Sequence, residues 1–241
     1  MSLPRFHLPA AAPGARLELP DHAAHHAREV LRLRPGAAVR VFDGRGAEFE
    51  AVLETLHRRQ AVLHLGHAVE ARPETPLRLV LAVSALRGDR MEWIIQKATE
   101  LGLAEVRPII TARTDAAARP ALAGARQERW ERVASGAAEQ CGRAVVPEVA
   151  ATCRLAELLA EPFDGRRLIF CESGGAPLRS LARAAAAQVL IGPPGGWEPD
   201  EVELATRAGF ERLALGPRIL RTETAAIAAV TALQALWGDL G

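Results

Sequence analysis

The 241 residues predict an α/β domain preceded by a small β-barrel-like module. Three observations carry this expectation. Downstream of an RPETP break at residues 72–76, apolar strand-like runs alternate with stretches of helical period, the pattern of a sheet covered by helices. Upstream, the apolar runs are short, β-rich and punctuated by turn residues. The length suits one large domain or one medium domain with a small appendage, and hydrophobic residues, 49% of the chain, can supply a core.

In the first 72 residues, strands are expected over 38–42 (AVRVF), 48–53 (EFEAVL) and 61–65 (AVLHL). Asp43-Gly44-Arg45-Gly46 joins the first two as a hairpin turn, because glycine enters positive φ without steric penalty. One helix falls near 22–31. Its histidines, His22, His25 and His26, invite a metal reading, but no cysteine or carboxylate completes a set at ligand spacing, so a solvated or packing role is expected. Past the break, 77–85 reads as a strand and 91–101 as an amphipathic helix. Met91, Ile94, Ile95, Ala98 and Leu101 share one face of it, Asp89 caps it with Glu92 three residues on, and Gly102 ends it. Further strands are predicted at 105–110, 167–171, 189–192 and 212–215, with helices at 126–141, 178–187 and 200–208. A last helix, from about 224 to 237, aligns Ile227, Val230, Leu233 and Trp237 close to one stripe. The alanine-rich patches at 116–125 and 182–187 are compositional, and no internal repeat is evident.

Composition excludes several classes. No apolar run approaches the length of a membrane span, and the opening MSLPRFHLP lacks the apolar stretch of a signal peptide, so a cytoplasmic protein is expected. Cys141, Cys153 and Cys171 are odd in number and widely spaced, which fits reduced thiols better than a disulfide frame or a zinc site. Net charge is only +1. Of the 30 basic residues only Lys97 is lysine, and a guanidinium grips phosphate bidentately. A GC-rich coding sequence explains the same bias, so arginine content alone assigns no partner.

Two segments carry chemistry. Residues 189–197 (VLIGPPGGW) run an apolar strand into a turn with Gly192, Gly195 and Gly196. Neither G-x-G-x-x-G spacing nor a Walker lysine is present. Glycines let backbone groups approach a ligand, while Pro193 and Pro194 stiffen the turn and remove two donors, which suits an adenine or ribose read by main-chain groups. A plain strand-to-helix turn anchored by Trp197 is the competing reading. Residues 213–226 (LALGPRILRTETAA) cluster Arg218, Arg221, Thr222, Glu223 and Thr224 beside an apolar strand. Polar side chains so placed need partners, which favours a binding site. A surface Arg221–Glu223 pair with a threonine helix cap is the bland alternative.

Taken together, PRF at 4–6, HAREVLRL at 26–33, VFDG at 41–44, GDRMEWIIQKATELG at 88–102, RWERVASGAAEQCGRAVVPEV at 129–149, IGPPGG at 191–196 and LGPRILRTETA at 215–225 resemble the 16S rRNA (uracil(1498)-N(3))-methyltransferase family of the SPOUT superfamily. The resemblance spans essentially the whole chain. It implies a PUA-like RNA-binding β-barrel over 1–72, a SPOUT domain with a deep trefoil knot over 73–241, and a homodimer. It also implies S-adenosylmethionine as cofactor, held by Ile191, Gly192, Pro193, Gly195 and Gly196, by Leu215, Gly216, Ile219, Leu220, Arg221 and Thr224, and bordered by Cys171, Glu172 and Ser173. No metal is implied. The family turn is usually IGPEGG, so Pro194 stands where a glutamate is expected.

The implied reaction is methyl transfer to N3 of a uridine in the 16S rRNA of the small ribosomal subunit. Arg221 is the candidate that favours the uridinate through O2 or O4, and Glu223 either holds Arg221 or accepts the N3 proton. N3 lies on the Watson–Crick edge, so the base must be unpaired before attack. Arg5, Arg32, Arg34, Lys97, Arg113, Gln140 and Arg143 are candidates for RNA contact. A Rossmann-type enzyme would need the missing G-x-G-x-x-G turn. A non-catalytic PUA-like RNA-binding protein would have no cofactor affinity.

Overall fold

The computed structural model describes residues 3–57, 60–115 and 125–241, and all structural statements concern these. The alanine-rich patch at 116–125 lies outside them, apart from the helical backbone of Ala125. The chain divides into two compact units, residues 1–74 with 135–146, and residues 75–134 with 147–241.

The first unit is a five-stranded sheet in the order β1 (Arg5–His7), β3 (Ala38–Phe42), β4 (Glu48–Leu56), β5 (Ala61–Val69), β2 (Arg16–Glu18). β1 runs parallel to β3 and the other pairs are antiparallel. Alternation places Val39, Val41, Leu53, Leu63 and Leu65 in one core with Phe6 and Ala27. The predicted hairpin forms at Asp43. Its Oδ1 accepts from the backbone N–H groups of Arg45 (2.8 Å) and Ala47 (3.0 Å), and Gly44 takes φ 78°. Burial disfavours the Asp43 charge, but these two bonds and nearby Arg45 outweigh it and hold the carboxyl below its usual value. The expected helix is a short α-helix, α1 (Asp21–His25), that passes into a π-helical turn, His26–Val30.

Residues 135–146 pack within this unit, which a single cut near residue 72 does not foresee. Ala138 and Ala144 form a small core with Phe42. Arg5 is the hub. It pairs with Glu48 through Nε (3.0 Å) and Nη2 (3.1 Å), donates to the carbonyls of Ala138 (2.9 Å) and Arg143 (3.0 Å), and lies over the Phe42 ring.

In the second unit, β6 (Arg78–Ser84), β7 (Glu105–Ile110), β10 (Arg166–Phe170), β12 (Ala186–Ile191) and β13 (Glu211–Ala214) form the centre of an eight-stranded sheet, with short edge strands β8 (Glu148–Val149), β9 (Cys153–Arg154) and β11 (Ala176–Pro177). Every pairing is parallel, which explains why β6 and β12 are buried along nearly their whole length. α4 (Leu155–Ala160) and α5 (Pro199–Arg207) cover the sheet through Leu155, Leu158 and Ala205 against Ala82, Ile109, Ile169 and Leu190. α2 (Arg90–Glu100) packs on α6 (Thr222–Trp237), and α6 packs on β6 and β12. The remaining helix, α3 (Ala125–Cys141), begins in this unit and ends in the first.

Two expectations fail. No helix forms over 178–187. A single 3-10 turn, Leu178–Ser180, is followed by β12, whose Ala186 and Ala187 pair with Arg78 and Leu79. Alanine favours a helix by about 0.5 kcal/mol or less over most residues, and pairing on both sides overrides that. Asp89 does not cap α2, since its backbone is already helical, and Glu92 ion-pairs with Arg129 at 2.8 Å instead.

Candidate active site

β13, β10 and β12 lie side by side and parallel, so their C-terminal ends open along one edge. Each releases a turn there: Cys171-Glu172 after β10, Gly192-Pro193 after β12, and Leu215-Gly216 after β13. Together they line one pocket of about 540 Å³, counting its open mouth. Ligands of open parallel sheets bind beyond the carboxyl ends of strands, and this pocket is in that position.

Cross-links between the turns set its shape. Thr222, the first residue of α6, donates its hydroxyl to the Gly192 carbonyl at 3.0 Å. The Trp197 indole N–H donates to the Phe170 carbonyl at 3.0 Å, and the ring fills the space in which a Gly192 side chain would stand. Gly196 closes the turn by donating to the Pro193 carbonyl at 2.9 Å, with φ 73°, a conformation that strains any residue with a Cβ. Ile191, Leu215 and Leu220 give the pocket apolar walls, and the turns present backbone polar groups. Burial pushes the Cys171 thiol above its ordinary value, only partly offset by Arg212.

A second cleft adjoins the first and shares Ile219, Leu220 and Thr222 with it. Its other walls are Arg90, Pro194, Arg221 and Glu223. Arg90 and Arg221 are exposed. Glu223 is half-buried, and its Oε2 is buried with no hydrogen-bond partner among the described residues. A carboxylate oxygen removed from water needs a donor, and none of the described residues supplies one.

Of the residues implied by the resemblance, Cys171, Glu172, Ile191, Gly192, Pro193, Gly196, Leu215, Gly216, Ile219 and Leu220 line the pocket together. Arg221 lines the adjoining cleft. Thr224 stands exposed and lines neither, because Thr222 and Ala225, three apart on α6, share the pocket face. Gly195 faces outward, where a Cβ would meet the Arg113 side chain at 3.3 Å. Ser173 is exposed beside Glu172.

The RNA candidates separate as well. Arg32, Arg34 and Gln140 are exposed. Arg32 is the one non-glycine residue at positive φ among the described residues. Arg5 is committed to Glu48 and backbone carbonyls with 11% of its side chain exposed, so it serves the fold. Arg143 is similarly held on Glu74 at 2.6 Å, Lys97 on Glu100 at 2.8 Å, and Arg113 on Glu198 at 2.8 Å. His22, His25 and His26 are exposed, and no group of three or more potential metal ligands occurs among the described residues. Nor is any described helix long and apolar enough to cross a membrane. Phe170 and Ala225 line the pocket without having been singled out in the sequence; Arg218 and Thr222, from the polar cluster read as a binding site, and Trp197, read as a turn anchor, line it too. The helical spacing from Thr222 to Ala225 was a usable signal for Ala225.

A family model for an RNA methyltransferase domain matches residues 73–234, and one for an RNA methyltransferase PUA domain matches residues 19–65. The ribosomal RNA small subunit methyltransferase E of Synechocystis is 33% identical over 92% of this chain and 74% of its own length. That of Bacillus subtilis is 32% identical over 87% and 86%. Among solved structures, a Legionella pneumophila protein in complex with the bound cofactor SAM superposes with a TM-score of 0.94 at 35% identity, covering 100% of both chains. The ribosomal RNA small subunit methyltransferase E of Neisseria gonorrhoeae, bound to S-adenosyl methionine, gives 0.90 at 36% identity over 99% and 100%. Parallel strand ends, glycine turns and full-length similarity agree, and the chain belongs to the RNA methyltransferase family that includes the ribosomal RNA small subunit methyltransferases E.

Proposed function

We propose that this chain transfers a methyl group from S-adenosylmethionine to N3 of a uridine in the 16S rRNA of the small ribosomal subunit. The observation that carries this reading is the pair of adjoining cavities, one framed by glycine turns at three parallel strand ends, the other by two arginines and a carboxylate oxygen with no partner among the described residues. The first fits the cofactor on its own terms. Its apolar walls suit an adenine ring, and at Gly192 the backbone comes so close to the indole that no side chain fits between them. When bound, S-adenosylmethionine supplies a methyl group already activated on its sulfonium, so the protein's main task is alignment, for which effective molarities on the order of 10⁵ to 10⁸ M are attainable.

In the second cleft Arg221 hydrogen-bonds O2 or O4 of an unpaired uracil and lowers the cost of losing the N3 proton. Glu223 accepts that proton. An Oε2 with no donor among the described residues supports this role over a purely structural hold on Arg221, which would engage the carboxylate. Residues 1–72 serve as the PUA-like RNA-binding domain, and residues 73–241 form the knotted SPOUT domain. The enzyme works as a cytoplasmic homodimer without metal. Exposed Arg32, Arg34 and Gln140, all in the first unit, contact the RNA.

Single-turnover methylation tests the assignment. Removing one preorganised donor costs about 10² to 10³ in rate, whereas losing one phosphate contact lowers the salt slope of binding by about 0.7 to 0.9. Arg221→Ala should be slow at saturating rRNA and cofactor with an unchanged salt slope, and Arg32→Ala should show the opposite. Full recovery of Arg221→Ala at saturating RNA would make Arg221 a binding group.

A further inference from the structure

The loop after β7, residues 111–115, is built to hold something. Beneath it three buried hydroxyls bond to one another: Thr114 Oγ1 lies 2.9 Å from Ser84 Oγ and 2.8 Å from Thr111 Oγ1, and it also accepts from the Thr111 backbone N–H at 2.7 Å. These side chains are almost fully inaccessible, at 0% for Ser84, 3% for Thr111 and 4% for Thr114. A satisfied buried polar cluster is rigid, because every departure leaves a donor or acceptor without a partner.

From this base the loop reaches the start of α5 and the glycine turn at two points. The Ala112 backbone N–H donates to Glu201 at 2.8 Å. Arg113 forks, with Nη1 on the Gly195 carbonyl at 2.5 Å and Nε on Glu198 at 2.8 Å. The turn has few means of fixing itself, since Pro193 and Pro194 bring no N–H and its own closing bond is the one from Gly196 to Pro193. Neither Gly195 nor Arg113 lines the pocket, so a hold on the Gly195 carbonyl shapes the turn without entering the ligand's space.

We infer that Arg113 is a positioning residue that clamps the Gly195-Gly196 turn in its ligand-binding shape, acting through the Gly195 carbonyl with Glu198 as its counter-charge. This rests on the reading of the pocket as the S-adenosylmethionine site, and it replaces an RNA-contacting role for Arg113. The planar fork matters, because a lysine can reach the carbonyl or the carboxylate but does not span both in one rigid geometry.

The test uses the full chain and calorimetric titration with S-adenosylhomocysteine. Arg113→Ala should weaken binding about tenfold or more, raise the KM for S-adenosylmethionine in the same proportion, and lower kcat much less. Its ligand-free melting temperature and the salt slope of rRNA binding should stay at wild-type values. Arg113→Lys should recover part of the affinity, and it keeps the test open should the alanine variant fold poorly. Wild-type affinity in Arg113→Ala would overturn the clamp alone, as would a salt slope lowered by about 0.7 to 0.9 with cofactor binding intact, the mark of a phosphate ligand. A wild-type protein that does not bind S-adenosylhomocysteine would overturn the cofactor reading itself.

Discussion

Gly192→Ala isolates the packing of the pocket from its backbone strain. Gly192 does not occupy the left-handed region, so alanine can adopt its conformation, and the consequence of the change is purely steric. The new methyl group would sit 2.9 Å from Trp197 Cε2 and 3.0 Å from Nε1. Nor can the indole retreat freely, because its N–H is bonded to the Phe170 carbonyl and its ring packs on the core beneath α4 and α5. Overpacking costs about 1–3 kcal/mol and the displaced hydrogen bond about 0.5–1.5 kcal/mol, so a loss of about 1.5–4.5 kcal/mol is expected. For a chain of this size each kcal/mol moves the melting temperature by about 2–4 °C, which predicts a drop of about 3–18 °C in differential scanning calorimetry. The displaced ring also lines the pocket, so affinity for S-adenosylhomocysteine should fall at least about tenfold, some 1.4 kcal/mol. A variant that melts within a degree of wild type and binds the ligand equally well would refute the claim that the indole is held where the pocket needs it.

Thr222→Val keeps the side-chain shape but withdraws the donor to the Gly192 carbonyl, and urea unfolding should show a loss of about 1–3 kcal/mol with an unchanged m-value. Asp43 gives a pH prediction with a definite sign. Its folded-state pKa is depressed, so its stabilising contribution is present above the unfolded value near pH 4 and is lost as pH falls through the lower folded value. Melting temperatures followed from pH 6 to pH 2 should therefore fall less steeply in Asp43→Asn than in wild type, and equal slopes would remove Asp43 from the acid-sensitive set. Pro194 lines the cleft with Arg90 and Arg221, and Pro194→Glu should change turnover by less than about tenfold if the proline keeps loop shape without supplying chemistry. A larger gain or loss would show that a charge at this position matters.

Periodicity located the long elements of this chain because burial itself is periodic. Met91, Ile94, Ile95 and Ala98 are all fully buried, and β6 is buried as one continuous apolar run. Elements of two or three residues, such as β8, β9 and β11, offer no period to read, and their pairing is decided by neighbours distant in sequence. The 178–187 segment failed for the related reason that alanine composition reports local preference, while Ala186 answers to β6 and Ala187 to strands on either side. At the site, the glycine turns were visible as motifs. What they face was not. Gly195 and Gly196 are adjacent letters, yet one turns toward Arg113 and the other toward Glu172. Likewise Arg5 and Arg32 look alike in sequence, and only packing reveals that the first is enclosed and the second exposed.

The packing of residues 135–146 within the first unit bears on how this protein can be cut, transplanted or inherited. A fragment ending at the proline-rich break would retain every strand of the small sheet but lose Ala138 and Ala144 from the Phe42 core. Arg5 would also be left beside Glu48 without the carbonyls of Ala138 and Arg143. Such a fragment exposes apolar surface and strands half of a guanidinium's donors, so it is a poor candidate for independent folding. The module is continuous in space and discontinuous along the gene. A recombination event that moved it elsewhere by a single crossover would deliver an incomplete domain, which ties the evolutionary fate of the two units together more firmly than a simple linker would.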